Sequence, residues 1–174
     1  MRDSQRQKVY TAERVLCRYE TKYPTVKDIE RYCKKIIRST WFIRHFGNHS
    51  FRVHDGRGRR NAGGWHGWGG LEITLPLWAR CDRVILHELC HGLTINPPHG
   101  WSFAKHYMEL VRHFMGKDAY KALKAAYKEH HVRTRPKGTR VISPEARQKG
   151  IEALRLYRER KAASMRQEGN DYQI

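Results

Sequence analysis

Apolar residues return at helical spacing in six stretches of this chain, and only between residues 41 and 76 does the pattern shorten to strand-like runs. In residues 6–20, Val9, Ala12, Val15, Leu16 and Tyr19 mark one face of an amphipathic helix ahead of Pro24. Thr25 is an N-capping residue type with Asp28 three positions on. A second helix is therefore expected over 26–38, with Val26, Ile29, Cys33, Ile36 and Ile37 as its stripe. Both helices read as structural, packed on a sheet.

The middle of the chain changes character. Trp41-Phe42, Phe51-Arg52-Val53 and Leu71-Glu72-Ile73-Thr74-Leu75 read as short strands, parted by Asp55-Gly56-Arg57-Gly58 and the glycine-rich run 63–70. A small, mostly antiparallel sheet follows, its last strand at 70–75 and stopped by Pro76. The glycine-rich run lacks a Lys-Ser/Thr ending and opens no helix, so it is no phosphate-binding loop. It suits a hairpin turn or bulge, with Trp65 and Trp68 as an alternative stacking surface for a base or a substrate.

Helical periodicity resumes at 80–94, where Val84, Ile85, Leu89 and Leu93 form an inward face and Gly92 with Asn96-Pro97-Pro98 marks the stop. Two further helices are expected, one from Trp101 to Met115 and one over 118–130. A basic stretch opens with Arg133-Thr134-Arg135-Pro136-Lys137-Gly138, and Ser143-Pro144-Glu145 then starts a tail helix over 144–164. The expected organisation is an α+β domain over 1–132, a linker over 133–142 and a basic helical tail over 143–174.

Composition narrows the partners. The formal charge is +18, of which residues 1–132 carry +12 and residues 133–174 carry +6, and such a field favours polyanions, nucleic acid first among them. Hydrophobic residues make up 39% of the chain, enough for a core. No apolar run is long enough for a membrane span and none follows the charged N-terminus, so the expected compartment is the cytoplasm. Cys17, Cys33, Cys81 and Cys90 show no CxxC pairing and are expected as free, buried thiols.

The chemistry concentrates in His87-Glu88-Leu89-Cys90-His91, an HExxH pattern. Residues four apart share a helix face, so His87 and His91 can present imidazoles to one ion, while Glu88 lies beside it as a general base. Zinc asks for a third protein ligand and an open fourth position. His99 follows the proline stop and supplies that ligand, giving one Zn2+ ion on His87, His91 and His99. Cys90, one residue before His91, faces another way. The remaining histidines read as structural or exposed, with His106 and His113 as alternatives placed behind the ligands. Tyr107, Tyr120 and Tyr127 have the chemistry to stabilise an oxyanion, though a structural role suits them better. The strand at 70–75 could pair with an extended peptide.

The run from His87 to His91, continued by His99-Gly100-Trp101-Ser102-Phe103-Ala104-Lys105-His106-Tyr107, resembles the SprT-like and WLM-like zinc metalloproteases. The segment Gly69–Leu75 resembles the strand ahead of their motif helix; this likeness spans residues 63–115. With the opening Arg2-Asp3-Ser4-Gln5-Arg6-Gln7-Lys8-Val9-Tyr10-Thr11-Ala12-Glu13, residues 2–137 also resemble a family of metallohydrolases from actinobacteria and their phages. The resemblance implies a zincin-like, minimal metalloprotease fold, ligands at His87, His91 and His99, Glu88 as general base, and a protein or peptide substrate. SprT-like proteins act on DNA-bound proteins, which suits the charge, but this chain has no cysteine after Cys90 and so lacks their C-terminal zinc ribbon. Any nucleic acid would have to meet the basic surface or tail.

Two rival readings remain open at this level. A zinc-dependent ribonuclease of the H-x3-H-x5-H kind suits the charge, but here the second gap is seven residues and Glu88 stands where a protease needs its base. Alternatively the zinc is structural, and the chain is a nucleic-acid-binding or host-targeting module. The tail helix either lies on nucleic acid through residues such as Arg155 and Arg158, or packs Ile151, Leu154 and Tyr157 on the domain or a second copy. Oligomeric state is not legible.

Overall fold

The computed structural model describes residues 3–94, 97–138 and 143–170, the side chains of 144, 146 and 162–170 excepted. Asn96 of the expected helix stop and residues 139–142 of the expected linker lie outside the described residues. The chain divides into two units, Met1–Pro136 and Lys137–Ile174. The fold is mixed α+β, with seven α-helices and one three-stranded sheet among the described residues.

Helix α1 (Arg6–Glu13) is shorter than its periodicity predicts, because the chain tightens into a 3₁₀ turn over Arg14–Arg18. Its apolar face packs on the sixth helix rather than on the sheet, which corrects the expected placement. Helix α2 (Val26–Ile37) does lie against the sheet's first strand, and the Thr25 side chain accepts from the Asp28 N–H as a cap. Trp41-Phe42, expected as a strand, belongs to helix α3 (Thr40–Phe46). Ser39 caps that helix by accepting from Phe42 N–H, and Phe42 and Phe46 stack at i,i+4 with ring centroids 5.0 Å apart.

The sheet corrects the expectation of mostly antiparallel pairing. Strands β1 (Phe51–Asp55), β2 (Gly63–Gly67) and β3 (Gly70–Leu75) lie in the order β1-β3-β2. The β2-β3 ladder is antiparallel and the β1-β3 ladder parallel. Burial explains the order. Leu71, Ile73 and Leu75 are almost wholly buried, so β3 takes the centre, while glycine-rich β2, with Trp65 and His66 exposed, takes an edge. Trp68 sits fully exposed at the tight turn between β2 and β3.

Helix α4 (Asp82–Leu93) crosses β2 and β3. Its Ile85, Leu86 and Leu89 are buried, each side chain stabilising the fold by about 1.5–3 kcal/mol. Close approach of α4 to β2 requires glycine on both partners. A Cβ on Gly64 would overlap the Glu88 backbone carbonyl, and one on Gly92 would come within 3.0 Å of the Trp65 carbonyl. The start of α4 is pinned to the segment after α1: Thr21 N–H donates to Asp82 Oδ1 (3.0 Å) and Asp82 N–H to Thr21 O (3.1 Å). Buried Arg80 donates to Asp55 Oδ1 (2.6 Å) and to the carbonyls of Pro24 and Leu75.

Helices α5 (Trp101–Phe114) and α6 (Lys117–Glu129) complete the first unit, with Phe103, Tyr107 and Tyr127 among its largest fully buried side chains. Cys33, Cys81 and Cys90 are buried thiols as expected, but Cys17 is exposed on the 3₁₀ turn, a correction to the uniform burial read from the chain. The second unit is helix α7 (Pro144–Asn170), with Ile151, Leu154, Leu156 and Tyr157 exposed along it. Among the described residues no helix is long and apolar enough to cross a membrane.

Candidate metal centre

Helical pitch does for α4 what the spacing requires. His87 and His91 point the same way, and the chain returns after a turn at Pro97–Gly100 to bring His99 against them. Thr94 leaves the helix with extended backbone while its hydroxyl donates to the Cys90 carbonyl. The ligand atoms of His87, His91 and His99 lie within 4.8 Å of one another, a group able to hold one metal ion. His87 Nε2 is 3.1 Å from His91 Nε2 and 3.4 Å from His99 Nε2. Tetrahedral zinc with Zn–N bonds of about 2.0–2.1 Å spaces its nitrogens about 3.3–3.4 Å apart.

The tautomers make this more than a cluster. His87 Nδ1–H donates to both Glu13 oxygens (3.0 and 2.9 Å), and His99 Nδ1–H donates to Asp3 Oδ2 (2.6 Å). With the protons on Nδ1, the Nε2 atoms of His87 and His99 face each other as two acceptors. Two lone pairs at that distance repel unless a proton or a metal ion lies between them, and their donor chemistry fits a metal.

Electrostatics are set by burial. Burial works to lower the His87 pKa, but the charge and hydrogen bond of Glu13 outweigh it, and the net direction is up. His91 has no such aid: burial, then the two neighbouring imidazoles, push it down to about 3. His99 is lowered by burial, against the opposing pull of Asp3. Glu88 is raised, first by burial and further by the charge of Glu13, with His87 opposing. A carboxylate moved toward neutrality is suited to accept and return a proton.

An apolar floor holds the imidazoles. Phe103 is fully buried with ring centroids 4.7–5.0 Å from all three histidines. Trp101, which opens α5, is only half-buried. Cys90 is directed to α5, its thiol donating to the Phe103 carbonyl, so it is no ligand. His113 stacks on Trp41, remote from the cluster, and His106 lines the same cavity as His91.

Two cavities flank the cluster. One of about 380 Å³ is lined by His87, Glu88, Glu13, Arg6, Tyr10, Asn61, Ala62 and Trp78 among others. The other, of about 700 Å³, is lined by His91, Gly64, Trp65, His66, His49 and His106 among others. Asn61 and Ala62, just ahead of β2, border the cavity that holds His87, while Gly64, Trp65 and His66 of β2 border the one that holds His91. The strand at 70–75, expected to pair with a peptide, is occupied on both sides; the edge strand beside the site is β2.

Several site residues were not found from the sequence. Glu13, Asp3 and Tyr10 all come from the N-terminal segment read as structural. Tyr10 stacks on His87 (5.4 Å) and meets His99 (5.0 Å). Burial raises its pKa, against the neighbouring Arg6, so its hydroxyl remains a donor. Of the tyrosines named earlier, Tyr107 packs edge-on to His87 but spends its hydroxyl on the Arg83 carbonyl, and Tyr127 is buried in the core. Tyr120 lies on α6 beneath Arg112. The signal available for Glu13 was its place four residues after Val9 on the apolar face of α1, where a carboxylate needs a buried partner. Comparison of the chain with protein-family models, with curated proteins and with solved structures finds no match.

Proposed function

We propose that this chain is a zinc-dependent hydrolase of the zincin type, cleaving peptide bonds, and akin to the SprT-like enzymes and the actinobacterial and phage metallohydrolases its motifs resemble. The observation that carries the reading is the convergence of the His87, His91 and His99 ligand atoms, with Glu88 lining the same cavity as His87. The group has three members among the described residues, with Cys90 turned away, which favours an open fourth position over a closed structural site.

His87, His91 and His99 would hold the zinc, which would supply Lewis acidity and lower the pKa of a water to about 7. Glu88 would take a proton from the attacking water and hand it to the leaving amine as the C–N bond breaks. Tyr10 and Arg6, which line the cavity shared with Glu88, are donors for the negative charge that develops on the carbonyl oxygen. The free edge of β2 offers main-chain pairing to an extended peptide, whose side chains would enter the two cavities. The +18 charge supports a second role for the surface and tail in holding nucleic acid near the substrate.

The direct test is Glu88→Gln. Zinc content should stay at one ion per chain, while cleavage of a casein-like substrate falls by about 10²–10⁴-fold, the usual worth of a positioned acid–base. Undiminished turnover in that variant would remove the mechanism. Cleavage of labelled RNA, with protein left intact, would favour a nuclease instead.

A further inference from the structure

Glu13 is a carboxylate at 2% exposure, and the fold alone gives little reason for it to be there. Burying such a charge is costly unless it is paired. Among the described residues the ion-pair partner of Glu13 is His87, and that of Asp3 is His99. Each is therefore bonded to a histidine of the cluster through the nitrogen that points away from its centre.

We propose that the N-terminal segment Asp3–Glu13 is the outer half of the metal centre, with Asp3 and Glu13 as positioning residues that aim His99 and His87 and balance the ion's charge. This rests on the metal-site reading above. Three neutral imidazoles leave a dication its full +2, and the carboxylates of Asp3 and Glu13, together with Glu88 at the same site, offset that charge. Tyr10, between Asp3 and Glu13 in sequence, stacks on the His87 ring and meets His99 at a tilt, which limits the rotation of both. Gln5 fixes the strap in place. Its side-chain amide donates to the His99 carbonyl (2.9 Å), and its Oε1 accepts from Arg133 N–H (2.7 Å). One glutamine thus joins the chain's beginning, the third histidine's loop and the end of the first unit.

The test reads metal affinity and geometry, and needs no substrate. Zinc dissociation constants are measured by chelator competition for the full chain and for Asp3→Asn, Glu13→Gln and Glu13→Ala, and the visible spectrum of each is recorded with cobalt. Ile29→Val, a core change on α2, serves as the control for general destabilisation. Each carboxylate variant should bind zinc about 10–100-fold more weakly, as loss of such hydrogen-bond partners does elsewhere. Glu13→Gln, which still accepts from Nδ1–H, should lose less than Glu13→Ala, and the cobalt bands should shift. Ile29→Val should leave affinity and spectrum unchanged. If a Glu13 variant fails to fold, Asp3→Asn carries the test, because Asp3 lies ahead of α1 with its side chain 22% exposed. Affinities within twofold of the unaltered chain, with unchanged cobalt bands, would overturn the proposal. So would an equal loss in Ile29→Val. An unaltered chain that takes up no zinc would overturn the metal reading itself, and the proposal with it.

Discussion

Helices α4 and α1 meet the same imidazoles with different means. α4 carries His87, His91 and Glu88 at positions set by helical pitch, and is held down by buried Ile85, Leu86 and Leu89 and by glycine contacts with β2. α1 is only eight residues long and carries no ligand, yet Glu13 and Tyr10 reach His87 from it, and Asp3 just ahead of it reaches His99. The difference separates two requirements of a metal site. Bringing ligand atoms together is a local matter of spacing and one chain reversal. Aiming them, and neutralising what they hold, depends on groups 74 and 96 residues away in sequence.

The comparison breaks first at the ligands. If three histidines share an apparent zinc binding free energy of about 10–16 kcal/mol, losing one costs about 3–5 kcal/mol, or about 10²–10⁴ in affinity. His91→Ala should therefore bind zinc far more weakly than any carboxylate variant of the N-terminal segment. Chelator competition gives both numbers on one scale. Equal losses on the two sides would mean that ligation and aiming cannot be separated here.

Packing of α4 gives the next largest effect. Gly64→Ala places a methyl group on the Glu88 carbonyl, so β2 must lift from the helix, at a cost of about 1–3 kcal/mol or more. Gly69→Ala, where nothing lies within 4 Å, should change stability by less than about 0.5 kcal/mol. Denaturant midpoints for the two variants decide it. Similar values would show that the close approach of β2 to α4 is not what holds the helix.

The same division explains what could be read in advance. The helices α2, α4, α5 and α6 announce themselves by apolar stripes, and HExxH with His99 contains its own geometry, because pitch and a proline-assisted stop act over a few residues. Pairing in the sheet was misjudged because β-like runs carry no record of their neighbours: β1 joins β3 across an intervening strand, and only burial of Leu71, Ile73 and Leu75 puts β3 in the centre. Trp41-Phe42 looked extended because two aromatics favour strands, and the Ser39 cap decided otherwise. Glu13 and Asp3 were missed for a stronger reason. A lone acidic residue near an apolar face has no local signature of the histidine it will meet, and its role exists only in the folded chain.

The smallest effect lies where the two helices are tied by charge. Glu20, just past the 3₁₀ turn that follows α1, accepts from Arg83 Nε of α4 (3.0 Å) and pairs with Lys22 (2.6 Å). Burial alone would raise its pKa, but the hydrogen bonds from Lys22 and Arg83 reverse that and hold it below the usual carboxylate range. A carboxylate whose folded pKa is depressed adds stability that is complete above its unfolded value and is lost as pH falls through the folded one. Glu20→Gln should thus cost about 0.5–1 kcal/mol at pH 7, since Lys22 is largely exposed and screened. That deficit should shrink as pH falls through the depressed folded pKa and vanish once the unaltered side chain is itself protonated. Urea midpoints of the two proteins across that range measure it. A deficit that persists unchanged in acid would assign Glu20's contribution to packing, leaving Glu13 with His87 as the charged link between α1 and α4.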